Sequence, residues 1–432
     1  MYSSDKSRIC KNKTTQKIQF GKIGLFIIIF TASFDIFGVI NIAGMTFRIP
    51  QFITLFMFAI LAFRDKIQSP KYFNMLYIWA ALQFVFALFC PNKLYSIGYW
   101  GWTIIVICMV IVFCSIIDTP QKTRWLIKNY ILVFVLMSWL GIIQWILGFF
   151  GIHFFLTQVT FNGTRMPRIN GFTYEPSYYS TYLMPGWVLI MYLLEHGSVV
   201  FSKKQVSRYA MIISLALFMS SSRMGWIFMG LYMLLRFMIA PNPLFMKNLR
   251  KRRMIYISVC ILGAICVAML AIYLIAKNGY GFIFDGLGIG GTSSHSSGAR
   301  TTQFLNTLQL FFDQPFLGYS LGGVSVAYCN KYQIVPFDSG ASMCVWIELL
   351  AGSGIIGIIP FAIWVSHILK HYRKEKVKYS IFVRESKGLL YAFVFECMIL
   401  AMNQNILRIY FWVLVAVLII VGRTNRFRMI YI

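Results

Sequence analysis

The chain has 432 residues, 59% of them hydrophobic and only 12% charged, with 40 lysines and arginines against 13 acidic residues and a net charge of +27. Soluble domains carry roughly 45–50% apolar residues, so this composition excludes a soluble globular protein and marks a polytopic membrane protein. The basic surplus suits lipid headgroups and calls for no nucleic acid, and the nine cysteines offer neither a disulfide framework nor a zinc-ligand spacing.

A basic arm, residues 1–22, precedes an apolar run without a small-residue cleavage site, which predicts a retained first span behind a cytoplasmic arm. A transmembrane helix needs about 20 mostly apolar residues. On that measure spans are predicted near 23–40, 49–63, 72–90, 97–117, 129–150, 177–195, 209–221, 224–240, 254–275, 342–369, 388–402 and 408–422. The expected fold is all-α, a single membrane domain over 1–432 with twelve spans and both termini cytoplasmic. If odd-numbered spans run outward, 31 of the 40 lysines and arginines fall inside and nine outside, the asymmetry that orients membrane chains. The nine are Arg48, Lys93, Arg165, Arg168, Arg223, Lys277, Arg300, Lys331 and Arg408. The stretch 209–240 is read as two short passes, because one long helix would put the basic segments 196–208 and 236–253 on opposite sides. "SSSRMG" (220–225) then forms a tight turn with Arg223 at membrane depth. A charge there faces a polar cavity or a partner, or snorkels to headgroups.

Two outer loops are long, 151–176 and 276–341. In the first, "NGTRMPRINGFTYEP" ends on Pro176, suited to the first turn of span six, with Glu175 at the N-cap. The positive end of that helix, with Arg165 and Arg168, composes an anion site. Glu175 reads first as a cap or an arginine partner. Tyr174, Tyr178, Tyr179 and Tyr182 read first as interfacial belt residues, and as sugar-stacking rings second. The second loop opens with "GYGFIFDGLGIGGTSSHSSGAR", whose glycines lack the strand-to-helix unit and the Lys-Ser/Thr of a nucleotide-binding loop. His295 in it reads as solvated. From 299 to 312, Phe304, Leu305, Leu308, Phe311 and Phe312 share one side, which predicts an amphipathic helix on the membrane, opened by Arg300.

Five pieces in order, "RINGFTYEPS" (168–177), "SSSRMG" (220–225), "GART" (298–301), "DQPFLGYSLGG" (313–323) and "ELLAGSGIIGIIPF" (348–361), resemble the superfamily of O-antigen polymerases and O-antigen ligases. The resemblance covers roughly 168–361. It implies a GT-C-like membrane glycosyltransferase of the bacterial inner membrane that transfers undecaprenyl-diphosphate-linked glycans on the outer face. The implied transfer is inverting and uses neither metal nor cofactor; the arginines bind the diphosphate, and a chain-length regulator is a further expected partner.

Chemistry agrees with that use of arginine. Negative charge grows on the phosphate as the sugar departs, and many glycosyltransferases neutralise it with a carboxylate-bound metal. Here no DxD-like pair stands on the outer side. An arginine fork pairs bidentately with phosphate instead. Arg168, Arg223 and Arg300 are the first candidates for diphosphate contacts, with Arg165 behind them and Tyr174 and Tyr178 for the sugars. Glu175 and Asp338 are the candidate general bases. In 338–357 no histidine occupies the place of the His-Asn pair of the ligases, which favours polymerase over ligase. The polymerases' arginine-x10-glycine spacing is absent too, since Pro176, Tyr179 and Phe311 follow Arg165, Arg168 and Arg300 at that distance. A transporter or flippase of the same lipid-linked sugars is the alternative from another class, with Asp35, Glu396 and "NQNILR" (403–408) as ion-coupling candidates.

Overall fold

The structure is a computed structural model that describes residues 20–42, 45–157, 160–161, 164–165, 167–239, 293–333, 344–373, 381–402 and 406–424. Among these the chain is mostly helical: α1 (Phe20–Phe30), α2 (Ile49–Ala62), α3 (Asn74–Leu88), α4 (Lys93–Ile116), α5 (Pro120–Phe149), α6 (Pro176–His196), α7 (Lys203–Met219), α8 (Arg223–Ile239), α9 (Ser293–Asp313), α10 (Gly323–Tyr332), α11 (Val345–Arg373), α12 (Val383–Ile399) and α13 (Ile409–Thr424). Two small antiparallel hairpins accompany them, β1 (Val39–Ile42) with β2 (Met45–Arg48) and β3 (Thr160–Phe161) with β4 (Thr164–Arg165). The α4 and α5 helices and the Val345–Lys370 part of α11 are long and apolar enough to cross a membrane, while α1, α2, α3 and α13 are shorter apolar helices. This architecture fits an all-α integral membrane protein.

Local chemistry sets the helix boundaries. Thr119 caps α5 by accepting from the amide of Lys122, with Pro120 at the first helical position. Ser202 and Gln205 form a capping box on α7. Helix α6 begins at Pro176 and stops at Gly197, whose φ of +81° suits glycine. In the bundle α6 is central, packed against α5, α7, α8 and α12, while α13 lies against α4, α5 and α12. From Ile409 to Val421 every residue of α13 is buried, as expected of a helix that is apolar on all sides.

The first predicted span is shorter than expected. Helix α1 ends at Phe30, and the chain turns through Asp35 and Gly38 (φ +67°) into the β1–β2 hairpin. Past Phe30 the amides of Ala32 and Phe34 turn to the carbonyls of Ile29 and Thr31, and those of Asp35 and Ile36 to the carbonyl of Phe172, at 2.8 and 3.1 Å. An apolar run does not by itself distinguish helix from strand. The 209–240 stretch forms two helices, α7 and α8, joined at Ser220–Ser222, and a hydrogen bond of 2.8 Å between the Ser180 and Ser220 hydroxyls ties this turn to α6. The predicted span at 254–275 lies outside the described residues, as do 276–292 and 334–341 of the long loop.

Helix α9 begins earlier than predicted, and its apolar side is divided. Phe304, Leu305 and Phe312 are exposed, whereas Leu308 and Phe311 are half-buried, with Phe311 packed beside Leu310, Val324 and Tyr328. Helix α11 kinks at Gly354 (φ +57°). The freed amides of Ile355 and Ile356 donate to the carbonyls of Pro315 and Phe316, at 2.8 and 3.1 Å, and the amide of Tyr319 donates to Ala351 at 3.0 Å. A Cβ on Gly354 would come within 2.3 Å of the Phe316 carbonyl, and one on Gly318 within 2.6 Å of the Ala351 carbonyl.

Candidate functional site

The segment 167–175 is held by buried hydrogen bonds, some within it and some to Phe155 and Gln144. Asn170 Nδ2 donates to the carbonyls of Phe155 (3.0 Å) and Thr173 (2.8 Å), and Thr173 Oγ1 donates back to the Asn170 carbonyl at 2.7 Å. Gln144 of α5 brackets Gly171, donating to its carbonyl at 2.8 Å and accepting from its amide at 2.9 Å. Gly171 has φ +56°, a conformation an L side chain adopts only with strain. Both Asn170 and Thr173 are fully buried. Buried polar groups satisfied in this way specify one loop conformation.

Arg168 joins this loop to the α7–α8 turn. Its Nη2 donates 3.0 Å to the carbonyl of Ser221, a residue at φ +51°. Beside that bond lies a cleft of about 140 Å³, lined by Arg168, Glu175, Pro176, Ser177, Ser222, Arg223 and Met224. Its walls are the first turn of α6 on one side and the start of α8 on the other. Burial, and then the neighbouring Arg223, lower the pKa of the Arg168 guanidinium from its ordinary value, with Glu175 opposing them; a guanidinium remains charged under such pressure. Arg223 itself is exposed.

Glu175 holds the N-cap backbone position of α6, yet its side chain makes no capping bond. The carboxylate instead accepts from the Ser177 hydroxyl at 3.0 Å. The expected side-chain cap is therefore corrected, because Oε2 is drawn to the hydroxyl on the cleft wall. The tyrosines also divide. Tyr174 is exposed, while Tyr178 lies with its ring 4.5 Å from the Arg408 guanidinium carbon. Tyr179 and Tyr182 are buried in the core rather than in an interfacial belt, and the Tyr179 hydroxyl donates to the Met137 carbonyl at 2.8 Å.

Three of the residues selected from sequence, Arg168, Glu175 and Arg223, thus line one cleft, joined by Ser177, Ser222 and Met224, which sequence reasoning did not select. Arg165 stands in β4 and Arg300 in α9, and the surroundings of both side chains lie outside the described residues, as does Asp338 altogether. Asp313 is tied to Lys331, which donates to it at 2.5 Å. The Asp35 carboxylate is ion-paired, accepting two bonds from Arg408 Nη1 (2.8 and 2.9 Å) and lying 3.0 Å from Arg48 Nε.

Two arginines and one carboxylate around a cleft at a helix N-terminus are the composition expected of an anion site. The question is then which proteins share it. Residues 209–362 match the family described as O-antigen ligase. The match includes Arg223 and the kinked α11, whereas Arg168 and Glu175 precede it. It supports the O-antigen polymerase and ligase superfamily and does not separate polymerase from ligase. At that level the chain is similar to membrane glycosyltransferase-like enzymes of polysaccharide assembly, whose substrates are lipid-linked glycans. No curated protein matches the chain.

Proposed function

We propose that this protein polymerises undecaprenyl-diphosphate-linked oligosaccharide repeat units into a surface polysaccharide, at the outer face of the bacterial inner membrane. The observation that carries the reading is the cleft at the N-terminal end of α6, where Arg168, Arg223 and Glu175 converge. A lipid diphosphate ester bears two negative charges. Around the cleft and the adjoining Asp35 cluster, Arg168, Arg223, Arg48 and Arg408 stand against Glu175 and Asp35, a surplus of two positive charges.

In the proposed step the bond between the donor sugar's anomeric carbon and the diphosphate oxygen breaks, and its electron pair stays on the departing lipid diphosphate. A hydroxyl oxygen of the acceptor sugar bonds to that carbon from the opposite face, which inverts its configuration. The hydroxyl proton leaves to a base. Arg168 and Arg223 stabilise the charge that grows on the leaving phosphate, with the positive end of the α6 dipole behind them. Glu175 is the base this reading favours, oriented by Ser177, and Asp338 is the other candidate. The arginines take over the charge neutralisation that a divalent metal performs elsewhere.

Purified protein in vesicles without any ion gradient should lengthen lipid-linked repeat units, and EDTA should change the rate less than about twofold. A requirement for a gradient would make the chain a transporter. Loss of activity in EDTA with recovery on adding Mg2+ or Mn2+ would remove the arginine mechanism. Because the matched family is described as O-antigen ligase, transfer of the glycan to a lipid A-core acceptor in place of lengthening would move the assignment to ligase.

A further inference from the structure

We infer that Asp35 is a positioning residue for the cleft, acting through Arg408 and Tyr178 on one flank of the Glu175 wall and through Phe172 on the other. The inference rests on the reading of the cleft as a diphosphate site. Asp35 is 5% exposed and gathers segments far apart in the chain. Its carboxylate holds Arg408, 373 positions away and immediately before α13, as well as Arg48, the residue before α2. Its backbone amide and that of Ile36 both donate to the Phe172 carbonyl. The Phe172 ring is packed by Phe34 at 4.5 Å and Phe155 at 5.5 Å, so the 168–175 loop is held by its backbone and by its side chain at the same place.

The second flank is Tyr178, one residue beyond Ser177. Arg408 lies over its ring at 4.5 Å, and Glu175, Arg408 and Asp35 all act on its hydroxyl electrostatically. Glu175, Pro176 and Ser177 are therefore pinned between Phe172 and Tyr178, and both pins lead to Asp35. Arg408 is held at two points, its Nη1 on both oxygens of the Asp35 carboxylate and its guanidinium carbon 4.5 Å from the Tyr178 ring, so the ion pair and the ring contact depend on each other. Two arginines share this one buried carboxylate, so removing it leaves both cations uncompensated. The positioning role predicts that the cluster never touches the diphosphate and that its effect disappears once the arginine that does touch it is gone.

The test uses the full chain in lipid nanodiscs and farnesyl diphosphate as probe, with the dissociation constant and the thermal midpoint read on each variant. Arg168→Ala should weaken binding by more than about tenfold. Tyr178→Leu should weaken it about fivefold with the midpoint within about 2 °C of wild type, and Tyr178→Phe, which restores the ring, should recover most of the loss. Asp35→Asn should weaken binding at least as much, and Tyr178→Leu decides the matter if that variant does not fold. In the Arg168→Ala background Tyr178→Leu should add nothing. Unchanged binding by Tyr178→Leu beside a clear loss in Arg168→Ala would overturn the positioning role alone. Additive losses would overturn it too, by making Tyr178 a contact in its own right. Equal binding by wild type and Arg168→Ala would instead strike the diphosphate reading itself.

Discussion

Helix α6 carries a glutamate beside arginine at each of its ends, and the two ends use them in opposite ways. At the C-terminal end Arg236 of α8 donates to Glu195, with Nε at 3.0 Å, and lies 5.6 Å from the ring centres of both Tyr192 and Tyr391. His196 stacks on Tyr192 at 4.1 Å. The charges there close on one another and on the rings, and fasten α6 to α8 and α12. At the N-terminal end Glu175, Arg168 and Arg223 stand around a space instead. A charge pair that closes on itself contributes to stability, modestly where it is exposed, while two arginines held apart around a cleft at a helix N-terminus are what the proposed anion site requires. The contrast lies in geometry, because the residue types are the same.

The largest effect that tests this contrast is expected at the open end. Arg168→Lys and Arg168→Ala should each lower polymer formation about 100-fold or more, since a point charge does not copy a bidentate contact and a buried charge contact carries several kcal/mol. The measurement is polysaccharide length on a gel from a complemented polymerase-deleted strain, beside protein abundance. Wild-type ladders from both variants would reduce the N-terminal end to another fastening and move the anion site toward Arg223 and Arg300. Glu175→Gln comes next. Its side chain does not cap α6, so abundance should hold while the transfer rate drops about tenfold or more, the scale of a general base; a near-normal rate would leave Glu175 as a polar liner only. The smallest functional effect belongs to the closed end. Arg236→Ala should cost about 1–2 kcal/mol of stability, seen as a lower thermal midpoint, with activity per folded molecule within about twofold of wild type. Lost activity at an unchanged midpoint would erase the distinction between the ends.

Charge bookkeeping along the chain found the cleft for a physical reason. Arginines predicted to lie on the outer side of a chain whose basic residues are predicted to gather inside call for a partner, and Arg168, Arg223, Arg48 and Arg408 all belong to that predicted minority. Glu175 was legible from its place before Pro176. The break between α7 and α8 was legible from the basic segments on either side of it. What stayed hidden depends on long-range pairing. Asp35 and Arg408 meet across 373 positions, and no local periodicity reports such a contact; read alone, each looked like an ion-coupling group. The course of the chain after α1 was hidden for a related reason, because the carbonyl that takes the Asp35 and Ile36 amides belongs to the distant Phe172. Ser222 and Met224 stood in the quoted "SSSRMG" but drew no role of their own, since a serine in a turn and a methionine in an apolar helix are ordinary there.

The joint between Gly318 and Gly354 bears on how kinship can be read in such chains. Its bonds run from backbone to backbone, between residues 315–319 and 351–356, so the side chains at Pro315 and Phe316 take no part in those bonds while the two glycines have no substitute. Irregular backbone beside a spanning helix persists only where protein satisfies its polar groups, and here each strand of the joint does so for the other. A side chain at either glycine would therefore break the joint, whereas changes at Pro315 and Phe316 leave its bonds in place. The matched region, 209–362, contains both halves of the joint and stops short of Arg168 and Glu175. Of the residues that line the cleft, Ser222, Arg223 and Met224 fall inside the matched region with the joint, and Arg168 and Glu175 outside it.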